Sequence, residues 1–341
     1  MRVPHATLFQ KVVLLCLLAF ALVSTNCIQK SNGASSKKKK GPLASVKGKA
    51  KKKAPRGRKR GALHIQSLKR SSRGILLRFF LRAPRSFEEI LLARSTSPLS
   101  RASLDIRQYP ITLIRLRGKT LKRLRDVVVG EGVRYHYRLY RVHRGNQKIL
   151  QVSAQSSVQI PNRSIRGKRL QRPHIFINKF RYTLTLLDGR KVIKRYPVAL
   201  GQNPLHRKTF FDNATTPEGH YKVSYRWPKS RYFKALGLSY PNTKDRRRYR
   251  KWQKRQRRLG RSAPAIGGAI QIHGQGIQHN WTFGCIAMRN ADITELFSIR
   301  AVKKGIPVQV VGLGVANGRT RRFPMSSFLK KKLTELRGER P

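Results

Sequence analysis

The sequence predicts a mainly β protein with few, short helices. Three observations in its second half carry that expectation. From His174 onward, short runs of β-branched and aromatic residues recur between turn signals. Asp188-Gly189 separates two such runs at hairpin spacing, and only two stretches show helical periodicity. The 341 residues suffice for one substantial domain with extensions, or for two small ones.

At the N-terminus, Val12 to Val23 form an unbroken apolar run behind Arg2 and Lys11. Such a run is shorter than the ~20 residues that span a bilayer but fits the core of an export signal, so residues 1–27 are read as one. Its ending stays open between two readings. Cys27, directly after the run, suits a lipoprotein-type signal with a lipidated cysteine that would anchor the chain to a membrane. Ordinary cleavage near Ala34-Ser35, or an uncleaved anchor, is the alternative. Either way the expected location is outside the cytoplasm, in the periplasm or cell envelope.

Residues 28–73 read as a basic, disordered tether. From Ser35 to Arg60 the chain is almost wholly Lys, Arg, Gly, Pro, Ala and Ser, which supplies no core. Across the chain 77 Lys and Arg face 13 Asp and Glu, a net charge of +64, and no acid precedes Glu88. That imbalance points to anionic envelope polymers or lipids as partners and has no bearing on fold. No nucleic-acid module is recognisable, and an exported protein is not expected to have a specific nucleic-acid partner.

Residues 74–172 form an N-terminal region of mixed signal. Between Gly74 and Leu92 apolar residues are frequent without clear alternation, which reads as a basic amphipathic helix. Strand-like runs follow at Val127–Val129, Val133–Val142 and Ile149–Val158, with Gly130, Gly132 and Gly145-Asn146 as turn signals, so a small β module is expected.

Residues 173–312 carry the strongest strand signal. Ile175-Phe176-Ile177 leads to Arg181–Leu187, the Asp188-Gly189 turn (read as type I′) and Lys191–Ala199. His220–Arg226, Ala269–His273 and Pro307–Val311 add strands. A charged helix is expected over about Arg246 to Leu259, with Tyr249, Trp252 and Gln256 along one side. A shorter helix is expected to be capped by Asn290 or Asp292. The arginines of the first helix suit either a solvated face or a lid attracting carboxylates or phosphates. Residues 313–341 read as a basic tail.

Cys285 is the only cysteine beyond residue 27. If Cys16 leaves with the signal and Cys27 is lipidated or lost, it is the one free thiol of the mature chain. A thiol is mostly protonated at neutral pH and needs a neighbouring base, and His273 ends an apolar strand upstream. Gly284 lets the backbone approach closely, so that the N–H groups of Gly284 and Cys285 can face an oxyanion. Buried packing is the competing reading for an isolated cysteine.

Around these residues stand Ile272-His273-Gly274, Trp281-Thr282 followed after one residue by Gly284-Cys285-Ile286-Ala287, then Asn290 and Asp292. Upstream lie Thr216-Pro217-Glu218-Gly219, and Ser239-Tyr240-Pro241-Asn242 followed by Asp245-Arg246. In this order the motifs resemble the L,D-transpeptidase family, over about Pro173 to Gly312. Thr282, Phe283 and Ala287 stand where many members carry Ser, His and Arg, a form similar to a branch that includes both murein-joining and murein-cutting enzymes.

The resemblance implies a mixed β-sandwich-like catalytic domain with Cys285 as nucleophile and His273 as base. His279 is the rival base or a substrate contact. Phe283, Gly284 and Thr282 would form the nucleophile loop and oxyanion donors. Arg289, Asn290 and Gly274 would contact substrate, while a backbone carbonyl would orient the imidazole. The implied substrates are peptidoglycan stem peptides, with an envelope protein among the acyl acceptors. Aminolysis of the thioester would make an L,D-transpeptidase, and hydrolysis a carboxypeptidase or a murein–protein releasing enzyme. A non-catalytic, basic polyanion-binding protein is the alternative from a different class. No cofactor is expected, and neither metal-ligand spacing nor a phosphate-cradling glycine loop is visible.

Overall fold

In the computed structural model, which describes residues 63–71, 74–81, 84–116, 123–211 and 213–312, strand structure begins at His64. The expectations for residues 1–62 and 313–341, including the export signal, Cys27 and the tail, lie outside the described residues. The last part of the stretch read as a tether is a strand, β1 (His64–Ser71). It pairs with β2 (Gly74–Phe80) across its own apolar positions.

The helix expected over Gly74–Leu92 is therefore absent. β2 and β3 (Glu88–Ser95) occupy it, and β3 is buried along its whole length. A strand covered on both faces has no reason to alternate, so its run of Ile, Leu and Ala lacks a period of two. β4 (Thr112–Leu116), β5 (Arg123–Asp126), β6 (Arg134–His143), β7 (Ile149–Val152) and β8 (Ser156–Gln159) complete the region. Val127–Val129, expected as a strand, is loop. One sheet has the order β1-β2-β5; the other runs β4-β3-β6-β7, with β8 also on β6.

Ile75, Leu77 and Phe79 pack on Ile90, Leu92, Tyr137 and Leu139 between the two sheets. The opposite face of β3, with Leu91 and Ala93, is closed by Leu99, Leu104, Ile106 and Ile111. Each such side chain contributes ~1.5–3 kcal/mol on full burial.

The second half forms one eight-stranded sheet. Its strands are β9 (Pro173–Asn178), β10 (Thr183–Asp188), β11 (Lys191–Pro197), β12 (Gly219–Ser230), β13 (Phe233–Leu238), β14 (Gln271–His273), β15 (Ile286–Ala287) and β16 (Pro307–Val311). The order is β11-β10-β9-β16-β12-β13-β14-β15, antiparallel except for β16–β9 and β14–β15. The β10–β11 hairpin forms, but of its two central turn residues only Gly189 has positive φ (55°), so the turn is not type I′, which needs both.

Two α-helices flank this sheet among the described residues. Helix α1 (Thr243–Arg258) begins with a capping box in which Asn242 and Asp245 satisfy each other's backbone N–H. Helix α2 (Asn290–Ser298) has Arg289 as N-cap without a side-chain cap bond, in place of the expected Asn290 or Asp292 cap. Neither is long and apolar enough to cross a membrane.

A buried arginine ties the two halves together. Arg94 joins Asp126 at 2.7 Å and donates to Thr112 Oγ1 and to the Arg181 carbonyl at 2.7 Å. Burial works against its charge, but Asp126 outweighs it and raises the guanidinium pKa.

Candidate active site

Parallel pairing of β14 and β15 brings the two sequence motifs together. Ile272 stands opposite Ile286 and His273 opposite Ala287. Cys285, one residue before β15, therefore continues the register beside Gln271, two positions from His273 on the same alternation. Its thiol is half-buried, donates to the Ala269 carbonyl at 3.8 Å and is the one free cysteine among the described residues. Burial pushes the thiol pKa up, opposed by the Gln271 N–H and by the charges of Lys208 and Arg231.

His273 is 1% exposed. Nδ1 lies 2.9 Å from the Gly274 carbonyl, which makes Nδ1 the protonated nitrogen and leaves Nε2 bare as an acceptor. Burial lowers its pKa, and the Gly274 bond opposes that shift. Tyr232 stacks on the imidazole with centroids 4.7 Å apart, and Trp281 meets it edge-on at 5.3 Å. The thiol and imidazole are not hydrogen-bonded to each other. Gly274 fits because a Cβ there would meet Asn290 Oδ1 at 2.5 Å.

The nucleophile loop is held from two sides. Ala199 and Ala287 exchange backbone bonds of 3.0 and 2.9 Å, and Gln202 N–H donates to the Thr282 carbonyl at 3.0 Å. On the other side, the Cys285 carbonyl accepts from Thr282 Oγ1 at 2.8 Å and from Thr216 Oγ1 at 3.3 Å. Gly284 has φ 126°, and a Cβ would lie 2.6 Å from the Thr215 carbonyl, so this turn requires glycine. Its N–H turns back to Thr282 Oγ1 at 3.3 Å. The Gly284 N–H, expected to face an oxyanion, is thus bonded to the Thr282 hydroxyl, while no hydrogen bond is made by the Cys285 N–H among the described residues.

The Thr216-Pro217-Glu218-Gly219 turn is itself anchored from below. Lys179 Nζ donates to the Thr216 carbonyl at 2.8 Å and pairs with Glu218 at 3.0 Å, both side chains nearly inaccessible. Burial lowers the Lys179 pKa, and Glu218 counteracts it.

The remaining expected residues are scattered. Arg289 does not reach out to substrate: it chelates Asp292 at 2.7 and 2.6 Å and grips the carbonyls of Glu131 and Gly132, tying the N-terminal sheets to α2. Asn290 accepts from Gln275 N–H at 2.8 Å and shapes the turn after His273. His279 lies exposed in the loop between β14 and β15, while Phe283 is 67% exposed at the tip of the nucleophile loop. Among the described residues no His, Cys, Asp and Glu cluster could hold a metal ion.

Sequence reading missed the aromatic pair around His273 and the buried Asn280. Asn280 bonds Leu200 N–H (3.1 Å) and the Arg107 carbonyl (3.0 Å), fixing the loop to both halves. No local pattern announces the Asn280 contacts, whose partners are 80 and 173 residues away.

Residues 172–310 match the family model described as the L,D-transpeptidase catalytic domain, YkuD. The protein of Escherichia coli K12 named "Putative L,D-transpeptidase YafK" is 33% identical over 150 residues, covering 42% of this chain and 51% of that protein. The chain thus spans about half the length of the curated relatives it matches. Among solved structures, the L,D-transpeptidase (residues 123–326) of Xylanimonas cellulosilytica aligns with TM-score 0.28 and 14% identity, over 43% of this chain and 63% of that one. An L,D-transpeptidase from Mycobacterium smegmatis aligns with TM-score 0.27 and 10% identity, over 74% of this chain and 100% of the other. Over residues 172–310, the chain is thus similar to the L,D-transpeptidase catalytic-domain family.

Proposed function

We propose that the protein is a cysteine acyl-transfer enzyme of the exported cell envelope that acts on peptidoglycan stem peptides through a thioester on Cys285. The observation that carries this reading is the parallel β14–β15 pairing, which aligns the half-buried thiol with an imidazole whose Nδ1 is pinned and whose Nε2 is free.

In the first half-reaction His273 Nε2 accepts the thiol proton as Cys285 Sγ attacks the carbonyl between the L-centre of a diamino acid and the following D-residue. The oxyanion that forms is held by the Cys285 N–H. Collapse breaks the C–N bond, the departing amine takes the proton from His273, and a thioester remains. In the second half an acceptor amine, from another stem or an envelope protein, attacks the thioester. His273 removes its proton and returns it to the leaving sulfur. Burial raises the thiol pKa and lowers that of the imidazole, so the base must take the proton as the sulfur attacks.

The test is muropeptide analysis after incubation of the full chain with purified murein. New dimers identify transpeptidation, and shortened stems or released protein identify a water-accepting enzyme. Unchanged muropeptides with native protein would remove the enzymatic reading. Products that persist with Cys285→Ala would remove Cys285 from it.

A further inference from the structure

Helix α1 divides sharply into two faces. Asp245, Tyr249, Trp252 and Gln256 fall on one side, and the domain takes them up: Tyr249 Oη donates to the Pro264 carbonyl at 3.0 Å, and Trp252 stacks on Phe210 at 4.7 Å and 13°. Asp245, the helix's only acid, is buried and pairs with Arg248. The rest of the surface is cation. Nine exposed lysines and arginines lie between Lys244 and Arg258.

Among the described residues no acid pairs with any of these nine. Of the ten described acids, eight are engaged in ion pairs, seven of them buried. Like charges at i, i+4, such as Arg247 with Lys251 and Lys254 with Arg258, each cost the helix about 0.2–0.5 kcal/mol. A row such as Arg247, Arg250, Lys254 and Arg257 presents cations at one-turn steps along a helix of 16 residues, about 24 Å. That geometry suits a repeated anion on a polymer rather than one small ion.

The inner face connects this row to the candidate site. Phe210 is followed by Phe211, whose N–H donates to the Ala265 carbonyl at 2.6 Å. The segment that begins at Pro264 under Tyr249 ends at Ala269, the acceptor of the Cys285 thiol.

We infer that the outer face of α1 is a docking surface for the peptidoglycan polymer itself, gripping the free carboxylates of successive stem peptides so that strands lie beside Cys285. The inference rests on the acyl-transfer reading for the identity of the polymer. Guanidinium forks meet carboxylates with paired hydrogen bonds, and the summed field of the row raises the local concentration of an anionic strand.

The experiment measures pelleting of full-length Cys285→Ala protein with purified sacculi across a salt series, so that binding is read without turnover. In that background Arg247→Gln/Arg250→Gln/Lys254→Gln/Arg257→Gln removes four charges from α1, and Lys37→Gln/Lys38→Gln/Lys39→Gln/Lys40→Gln removes four elsewhere. The α1 variant should bind about tenfold more weakly and with a shallower salt dependence, and the control less than about threefold more weakly. Sacculi whose carboxylates have been amidated should lose the difference between the variants. Glutamine keeps helix propensity, and should the quadruple variant not fold, Arg250→Gln/Arg257→Gln carries the same test at about half the effect. Equal losses in both quadruple variants, or undiminished binding to amidated sacculi, would overturn the inference. So would an α1-dependent loss seen with phosphatidylglycerol vesicles or duplex DNA and not with sacculi. If native protein yields no muropeptide product while α1-dependent binding persists, the acyl-transfer reading fails and the docking surface stands.

Discussion

The candidate site and the outer face of α1 use polar residues in opposite ways. Around Cys285 there are few such groups, and each backbone or hydroxyl contact fixes a position: Thr282 and Thr216 hold one carbonyl, and Gly274 pins one ring nitrogen. On α1 the groups are many, exposed and almost wholly of one sign, with a single ion pair at Asp245. Geometry makes the first region sensitive to single substitutions. Redundancy makes the second sensitive only to several at once, because it acts through a summed field.

The comparison can be broken at either end. The largest effect is expected at His273, where His273→Gln should lower the rate of Cys285 acylation by about 10²–10⁴-fold. In the native protein the acid limb of kcat/KM should lie below pH 6.5, because a base with a lowered pKa stays neutral until the pH falls further. A limb at or above 6.5 would separate His273 from the proton transfer.

Next comes the anchor beneath the Thr216 turn. Lys179→Met leaves Glu218 without its close partner, which should cost about 3–5 kcal/mol in urea unfolding. Thr216→Val removes the hydroxyl shared by the Cys285 carbonyl and the Gly201 N–H, at about 1–2 kcal/mol in the same measurement. At the other extreme, Arg255→Gln on the exposed face of α1 should change stability by less than about 0.5 kcal/mol. A loss there as large as that at Lys179 would erase the distinction between the regions.

Legibility in the sequence follows the same division. The strands of the second half alternate or carry β-branched runs because one sheet is built from them, and α1 shows its half-buried stripe at Tyr249, Trp252 and Gln256. Cys285 and His273 stand out because a thiol and an imidazole are rare residues set in local motifs. What sequence could not show was made by distant contacts. β3 is buried on both faces by separate parts of the N-terminal half and so reads as helix. Arg289 looks like an arm for substrate until the carbonyls of Glu131 and Gly132, more than 150 residues earlier, take it up. The Gly284 N–H looks free until the Thr282 hydroxyl claims it.

The central claim is that Cys285 is an acylated nucleophile. Intact-protein mass spectrometry after exposure to a carbapenem, a strained acylating agent, tests it most directly. One adduct mapping to Cys285, absent from Cys285→Ala and slowed in His273→Gln, is the predicted result; an unmodified native protein, or an adduct that survives in Cys285→Ala, would contradict it.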